Sequence, residues 1–334
     1  MYVRSSIRPS IILWFCWRHL VFFTLYSATA VYAFEVLHWK FAAIPFLPVG
    51  TIGTAVAFYV GFKNNASYER LWEGRKIWGS ITNLSRAFGA LVLALGAHKP
   101  IESKLQDRLI HRQIAWCNTL KLSLRSHPAH RNAHKTSSEA TLIESIFKEK
   151  YDRETLQQYL ERSITAEDKL HMNGSSNPAL SLLQLQLRDI EELANLSDTH
   201  SSVCEKMTDT IIECIKEQGA CERLKSFPFP RQYAYFSEVF VWIFLLLLPF
   251  GLIDELAKAT TAGLTLLVVP FSVLISWMFI TMEQVGDSSE DPFELALNDV
   301  PLSAICRTIE IELLQMIGET NLPEPILPVA DILL

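Results

Sequence analysis

Two long segments without a charged side chain constrain the fold of this chain more than any other feature. Residues 41–62 and residues 259–282, which are 22 and 24 residues long, contain no Asp, Glu, Lys or Arg. A helix of about 20 apolar residues is long enough to cross the roughly 30 Å hydrocarbon core of a bilayer. We therefore predict a protein embedded in the lipid bilayer, and these segments exclude a wholly soluble fold.

Four apolar segments are predicted to cross the membrane as helices: residues 18–38, 43–63, 234–253 and 259–282. The first could be mistaken for a secretory signal peptide, because a small-residue triplet lies at 28–30. Arg18 and His19 interrupt its apolar run, however, and apolar sequence continues to Phe34, where a cleaved protein would begin with polar residues. We therefore predict that this segment is retained as a membrane helix.

The distribution of basic residues predicts the orientation. Residues 98–231 contain 19 Lys and Arg, whereas the short links 38–46 and 254–260 contain one Lys each. Basic residues are enriched on the cytoplasmic side of membrane proteins. With four crossings, both termini and the long central segment are therefore predicted to be cytoplasmic.

Outside the membrane segments the sequence predicts helices as well. Apolar residues recur at helical spacing in residues 101–124, 181–196, 203–224 and 302–317. Helix-breaking residues cluster at 126–138, 173–178 and 227–230. We predict an all-α fold in four parts: membrane helices 1 and 2 with a pore-lining face (1–97), a cytosolic helical region (98–233), membrane helices 3 and 4 (234–283), and a C-terminal cytosolic helix and tail (284–334).

Composition argues against nucleic-acid binding and against catalysis. The chain has 30 Lys and Arg against 36 Asp and Glu, a net charge of −6, and no basic stripe interleaved with aromatic residues. It has no nucleophile and base beside a recognisable oxyanion loop and no phosphate-binding glycine loop. We therefore predict no enzymatic activity and no cofactor. The six cysteines include no CxxC pair, which favours buried thiols over disulfides.

Two groups of potential metal ligands have simpler explanations. The three histidines of HPAHRNAH lie among Pro, Ser and Asn, which is typical of a solvated loop: His127, His130 and His134. Glu290 and Asp291, even with Asn298 and Asp299, supply fewer than the six to eight oxygen ligands of a calcium site. Asn298 and Asp299 are instead predicted to cap the helix that begins near residue 302.

The second membrane segment has one face that could line a pore. Thr54, Phe58 and Phe62 recur every four residues and so share one face of a helix. This pattern fits ordinary helix packing, aided by the small residues Gly53 and Gly61 nearby. It also fits a ring of subunits whose aromatic side chains form a hydrophobic constriction. Four of the next five residues are polar, which predicts that such a constriction would open into a polar chamber: Lys63, Asn64, Asn65 and Ser67.

Three blocks of the sequence resemble the bestrophin family in its bacterial branch. The first is GFKNNASYER (61–70) with the Trp and Glu beyond it, the second is ACERLK (220–225) with FPFP and LPFG, and the third is EDPF (290–293) with NDVPL. The residues that carry this resemblance are Asn64, Ser67, Tyr68, Arg70, Trp72, Glu73, Glu222, Arg223, Pro228, Pro230, Pro249, Asp291, Pro292 and Phe293.

The resemblance implies a homopentameric ion channel in the bacterial inner membrane, with four membrane helices per subunit and one central pore. It places the family's constriction at Thr54, Phe58 and Phe62, although the family usually has an apolar residue at the first of these positions. A second, cytosolic constriction in the family lies just after an Asn-Pro or Asp-Pro step. In this chain the resemblance assigns it to Ala179 or Leu180.

The bacterial branch also implies conduction of monovalent cations, sodium or potassium, without activation by calcium. Animal members are calcium-activated chloride channels with an acidic cluster after Pro-Phe, most of which is replaced here by Glu294 and the apolar residues 295–297. Two alternatives remain open. One is a chloride channel like the animal members, and the other is a membrane scaffold or receptor whose cytosolic helices bind a partner. A secondary transporter is disfavoured, because no pair of segments resembles an inverted repeat.

Overall fold

The computed structural model of the protein describes residues 1–4, 9–98, 103–126, 164–196, 201–258, 264–296, 298–329 and 331–333. The three histidines of the predicted loop, His127, His130 and His134, lie outside these residues. Within them the chain is all-helical, with two isolated β-bridges near the termini and no β-strand. The predicted fold class is confirmed.

Nine α-helices are described in these ranges. In chain order they are α1 (Pro9–Glu35), α2 (Phe46–His98), α3 (Ser103–Ser126), α4 (Ala166–Asn173), α5 (Pro178–Leu196), α6 (Ser201–Ser226), α7 (Arg231–Lys258), α8 (Val268–Glu290) and α9 (Leu302–Met316). Short 3₁₀ segments at Lys40–Ala42 and Leu264–Leu267 precede α2 and α8. The helices predicted at 101–124, 181–196, 203–224 and 302–317 correspond to α3, α5, α6 and α9.

Helix α2 is much longer than the membrane segment that the sequence predicts. It runs for 53 residues without a break, from the apolar segment through the polar motif at 63–73 and on to His98. Its last proline is Pro48, within the first turn, where the missing backbone N–H costs no helical hydrogen bond. Beyond that turn nothing in the sequence ends the helix before residue 98.

The described chain divides into two compact units. The apolar unit contains Arg4–Arg70 and Pro228–Asp291, and the polar unit contains Met1–Val3, Leu71–Phe227 and Pro292–Leu334. The division within α2 falls between Arg70 and Leu71, inside the segment 1–97 that we predicted as one part. Three helical segments of the described chain are long and apolar enough to cross a membrane: Lys40–Leu95, Arg231–Lys258 and Thr265–Glu290. The role of α1 as a fourth crossing stays a prediction.

In the apolar unit, α2 approaches α7 closely through glycine. A Cβ on Gly53 would lie 2.5 Å from Cε2 of Phe244, and a Cβ on Gly251 would lie 3.2 Å from the side chain of Val49. Real Cβ atoms do not lie as close to another heavy atom as a Cβ on Gly53 would lie to Phe244, so the Phe244 ring would have to shift. The contact at Gly251 is tight, and Val49 would have to move by a few tenths of an ångström to admit a Cβ there. Helix α1 joins the same core through Phe23, which is 1% exposed. The prediction that small residues of the second membrane segment allow close helix packing is therefore confirmed at Gly53.

The polar unit has its own core, built from α3, α5, α6, α9 and the C-terminal half of α2. Trp78, Phe88 and Trp116 are fully buried in it. The buried guanidinium of Arg112 bridges Asp168 and Asp189, at 2.9 Å from each. Asp168 also forms a capping box with Thr165 at the N-terminus of α4. The same carboxylate therefore caps α4 and, through Arg112, holds α4 against α3.

All six cysteines are buried free thiols. In the polar unit, burial raises the pKa of Cys214 to about 12 and raises the pKa values of Cys117 and Cys306. Because the thiolate is the reactive form, these three thiols are poor nucleophiles in the folded protein.

Candidate functional site

The face predicted to line a pore is exposed in the folded chain. Phe58 is 64% exposed and Phe62 is 67% exposed, and Thr54 is exposed beside them. The opposite face of the same helix is buried, with Val56 at 4% and Val60 at 0% exposure. No described helix of the apolar unit covers the two phenylalanines, so packing within that unit does not account for them.

Thr54 differs from the two aromatic residues in chemistry but not in placement. Its hydroxyl donates a hydrogen bond to the backbone oxygen of Gly50 at 3.0 Å, within the helix. A threonine that bonds back in this way has used its only donor. Thr54 therefore offers a methyl group and hydroxyl lone pairs to the exposed face, and no free O–H donor.

Behind this face, a buried lysine joins three helices. Lys63 of α2 is 1% exposed, and its ammonium group donates to Glu283 and, at 2.7 Å, to Asp287, both on α8. Ser237 of α7 donates to the other oxygen of Glu283 at 2.8 Å. The expectation that residues 63–67 open into a polar chamber is therefore wrong for Lys63 and for Ser67, which is 0% exposed. Both lie on the buried side of α2.

Two further motif residues extend this contact, which we call the α2–α8 seam. The Asn64 side chain donates to the backbone oxygen of Met282 at 3.0 Å, and a Cβ on Gly286 would collide with its Oδ1 atom. Arg70 donates to the backbone oxygen of Glu290 at 2.8 Å and lies 3.8 Å from a carboxylate oxygen of Asp291. The first and third sequence blocks therefore meet along one helix pair.

The remaining residues of the first block lie at the surface. Tyr68 is 58% exposed and Trp72 is 45% exposed, with the guanidinium of Arg75 at 5.9 Å from the Trp72 ring centroid. In the polar unit Glu73 forms an ion pair with Arg223 of α6 at 2.7 Å. Glu73 is thus paired with a helix that lies 150 residues further along the chain.

The predicted second constriction lies at the start of α5. Asn177 accepts a hydrogen bond from the backbone N–H of Leu180 at 3.1 Å, and its side-chain amide donates to Glu222 at 2.8 Å. Gln218 contacts both Asn177 and Glu222, and receives a hydrogen bond from the buried Trp116 indole. Glu222 of the second sequence block therefore fixes the residue that caps this helix.

The two candidates at this position differ in exposure. Ala179 is 1% exposed and belongs to the core of the polar unit, whereas Leu180 is half-buried. Association with other subunits can only bury more surface, so the Ala179 side chain has no exposed surface with which to line a pore. Leu180 is the one of the two that retains exposed side chain.

The prolines of the motif end and shape helices. Pro228 and Pro230 lie in the break between α6 and α7, and the backbone oxygen of Pro230 accepts from the N–H groups of Tyr233 and Ala234. Pro249 is buried inside α7. It interrupts the helical hydrogen bonds beside Gly251, at the close approach to Val49.

The third block forms a tight loop in the polar unit. The carboxylate of Asp299 accepts backbone hydrogen bonds from Phe293, Leu295 and Val300 at 2.6–2.8 Å. Phe293 is fully buried with φ of 75°, and it lies with Pro292 against Gly74. Burial raises the pKa of the Asp299 carboxyl, and the three N–H donors act in the opposite direction.

The prediction that Asn298 and Asp299 cap α9 is wrong. The N-cap residue is Pro301, and no side chain caps the helix. Asp299 organises the preceding loop instead. The first carboxylate beyond the Pro-Phe pair, Glu294, accepts from Lys225 at 3.0 Å. Among the described residues, no group of three or more His, Cys, Asp or Glu side chains is placed to hold a metal ion.

The partners of Lys63 are not predicted from the sequence: Glu283, Asp287 and Ser237. Each lies about 170 residues or more beyond Lys63 along the chain, and only folding brings them to it. One signal was available. Glu283 and Asp287 lie four residues apart at the end of one charge-free membrane segment, and Lys63 lies at the end of another. Because unpaired charges at such positions are costly, these residues could have been predicted to pair.

All three sequence blocks lie within a match to one protein family. The family model described as "Bacterial/Fungal Bestrophin protein" matches residues 1–315. The chain belongs to the bestrophin family. The resemblance identified from the sequence motifs is thereby confirmed.

Bestrophin relatives match the chain over most of its length. The voltage-dependent anion channel-forming protein YneE of Escherichia coli K12 is 30% identical over 290 residues, which cover 86% of this chain and 81% of that protein. The voltage-dependent anion channel-forming protein mll4386 of Mesorhizobium japonicum is 26% identical, over 98% of this chain and 90% of its own.

Solved bestrophin structures agree with the fold. A bacterial bestrophin homolog from Klebsiella pneumoniae is 28% identical to this chain, with a TM-score of 0.72 over 90% of this chain and 97% of that one. A mutant of the same homolog has a TM-score of 0.73 with the same coverage.

Proposed function

We propose that the chain is one subunit of a homopentameric ion channel in the bacterial inner membrane, with both termini cytoplasmic. Thr54, Phe58 and Phe62 of α2 form the hydrophobic constriction, and Leu180 forms a second constriction on the cytosolic side. The observation that carries this proposal is the exposure of two phenylalanines at 64% and 67% on a membrane-length helix. Rings of apolar side chains around an axis gate ions by excluding water.

The conducted ion could be an anion or a cation. The names of the relatives describe anion channel-forming proteins, which favours chloride. The resemblance to the bacterial branch implies sodium or potassium, and cation conduction is the candidate that we propose. Reversal potentials of the purified protein in a salt gradient distinguish the two. A reversal potential near that of chloride would contradict the cation proposal and leave the channel proposal standing.

The pore face is tested by shortening its aromatic side chains. Purified protein in planar bilayers should give unitary currents, and Phe58→Ala with Phe62→Ala should raise conductance or open probability because a wider constriction admits water. Thr54→Ala should change the currents little, since its hydroxyl is bonded within the helix. The comparison shows how much the Thr54 ring contributes relative to the two aromatic rings.

The alternative of an interface packed between subunits predicts the opposite. Removing two buried aromatic rings would then cost roughly 3 to 5 kcal/mol per Phe and weaken the oligomer, as seen by size-exclusion chromatography. An intact oligomer with unchanged currents would remove this face from the pore. A verified oligomer that gives no unitary currents in repeated reconstitutions would favour a membrane scaffold.

A further inference from the structure

The charged side chains on α2 within the apolar unit differ in their exposure to solvent. Residues 46–70 contain three charged side chains, Lys63, Glu69 and Arg70. The ammonium group of Lys63 is buried between two carboxylates of α8, and the Arg70 side chain is 19% exposed and bonded to the end of α8. Glu69, by contrast, is exposed. The exposed surface of this stretch of helix therefore carries a negative charge.

Glu69 is held in place without being neutralised. Its carboxylate accepts a hydrogen bond from the Asn65 side chain at 3.2 Å, one helical turn earlier. Within the ranges of the chain that the structure describes, no ion pair to Glu69 is formed. An amide donor restricts the orientation of a carboxylate and leaves its charge intact. The charge is thus available to an ion in the surrounding water.

Helical geometry places Glu69 on the face of the candidate constriction. Seven residues advance an α-helix by about 700°, so Glu69 points within about 20° of the direction of Phe62, about 10 Å further along the axis. Asn65 shares this face and is also exposed. The first charged group that an ion meets beyond Phe62 on this face is therefore a carboxylate.

We infer that Glu69 is the residue that selects for the charge of the ion, in favour of monovalent cations over chloride. This inference rests on the proposed pentameric pore, in which symmetry brings five Glu69 carboxylates around one axis. Rings of Asp or Glu select cations in channels, because a narrow passage with low-dielectric walls focuses their field. The constriction itself is apolar and has no charge with which to distinguish a cation from an anion.

The test changes the charge at this position alone. Sodium-to-chloride permeability ratios from reversal potentials should fall several-fold in Glu69→Gln, which keeps the size and can still accept from Asn65. In Glu69→Lys the preference should move to chloride. Glu255→Gln removes the same charge from an exposed position on α7 and should leave the ratio unchanged. Because salt screens exposed charges, the difference between wild type and Glu69→Gln should grow at low ionic strength.

The outcomes separate this inference from the channel proposal. Unitary currents with a permeability ratio unaffected by Glu69→Gln and Glu69→Lys would overturn the role of Glu69 and leave the channel intact. A weakened oligomer with an unchanged ratio would place Glu69 in a subunit contact, and would overturn it as well. Absence of currents in the wild-type protein would overturn the channel proposal itself, together with this inference.

Discussion

Lys63 is the residue on which the packing of the apolar unit depends most sharply. Its ammonium group is buried between the carboxylates of Glu283 and Asp287, directly behind the exposed Phe62. A buried charge is tolerated only when it is paired, so the three side chains form one unit in energetic terms. The ion pairs also fix which side of α2 faces α8, and hence which side remains exposed.

Lys63→Met should therefore destabilise the protein strongly. Removing one partner of a buried ion pair costs roughly 3 to 5 kcal/mol, because the remaining charge is left without compensation. Thermal unfolding in detergent should show this loss, and adding Glu283→Gln with Asp287→Asn should recover much of it. Lys258→Met is the matched control, since Lys258 is 63% exposed on α7 and its removal should leave the unfolding temperature almost unchanged. Equal unfolding temperatures for the two lysine variants would refute this account of Lys63.

At the scale of elements, the close approach of α2 and α7 is tightest at Gly53. Gly53→Ala would place a methyl group 2.5 Å from Cε2 of Phe244, and overpacking of this kind costs about 1 to 3 kcal/mol. Gly61→Ala on the same helix meets nothing within 4 Å and should be neutral or slightly stabilising. The unfolding temperature of Gly53→Ala should thus be well below that of Gly61→Ala. Adding Phe244→Leu to Gly53→Ala should recover part of the loss. Equal effects of the two alanines would contradict this packing.

The elements also show what could be read from the sequence and what could not. Helical periodicity and the breaks at 173–178 and 227–230 predicted α3, α5 and α6, because these signals are local. The pairing of Lys63 with α8 was not predictable, since it joins residues 220 positions apart. Periodicity likewise could not decide whether Phe58 was packed or exposed, because both arrangements give the same spacing. Only the folded apolar unit shows that its own helices leave that face open.

At the scale of the whole molecule, the exposed apolar side chains of the apolar unit need an apolar environment. Helix α8 exposes Phe271, Leu274 and Met278 to 47–51%. Patches of this kind on a membrane-length helix are met by lipid or by another subunit. On α2 the face of Phe58 and Phe62 continues instead to the exposed side chains of Asn65 and Glu69, which a water-filled axis would solvate. This contrast supports an axis lined by α2.

Calcium should leave the activity of the assembled protein unchanged. A tight calcium site needs about six to eight oxygen ligands, and the carboxylates after the Pro-Phe pair are already engaged. Glu294 is paired with Lys225, and Asp299 accepts three backbone N–H groups. Open probability in planar bilayers should be the same with micromolar calcium as with a chelator. Lys225→Ala, which removes the ammonium group beside Glu294, is an informative companion variant, and it should also remain insensitive because one carboxylate does not complete a site. Several-fold activation of the wild-type channel by micromolar calcium would show that this loop binds the ion in spite of its internal hydrogen bonds.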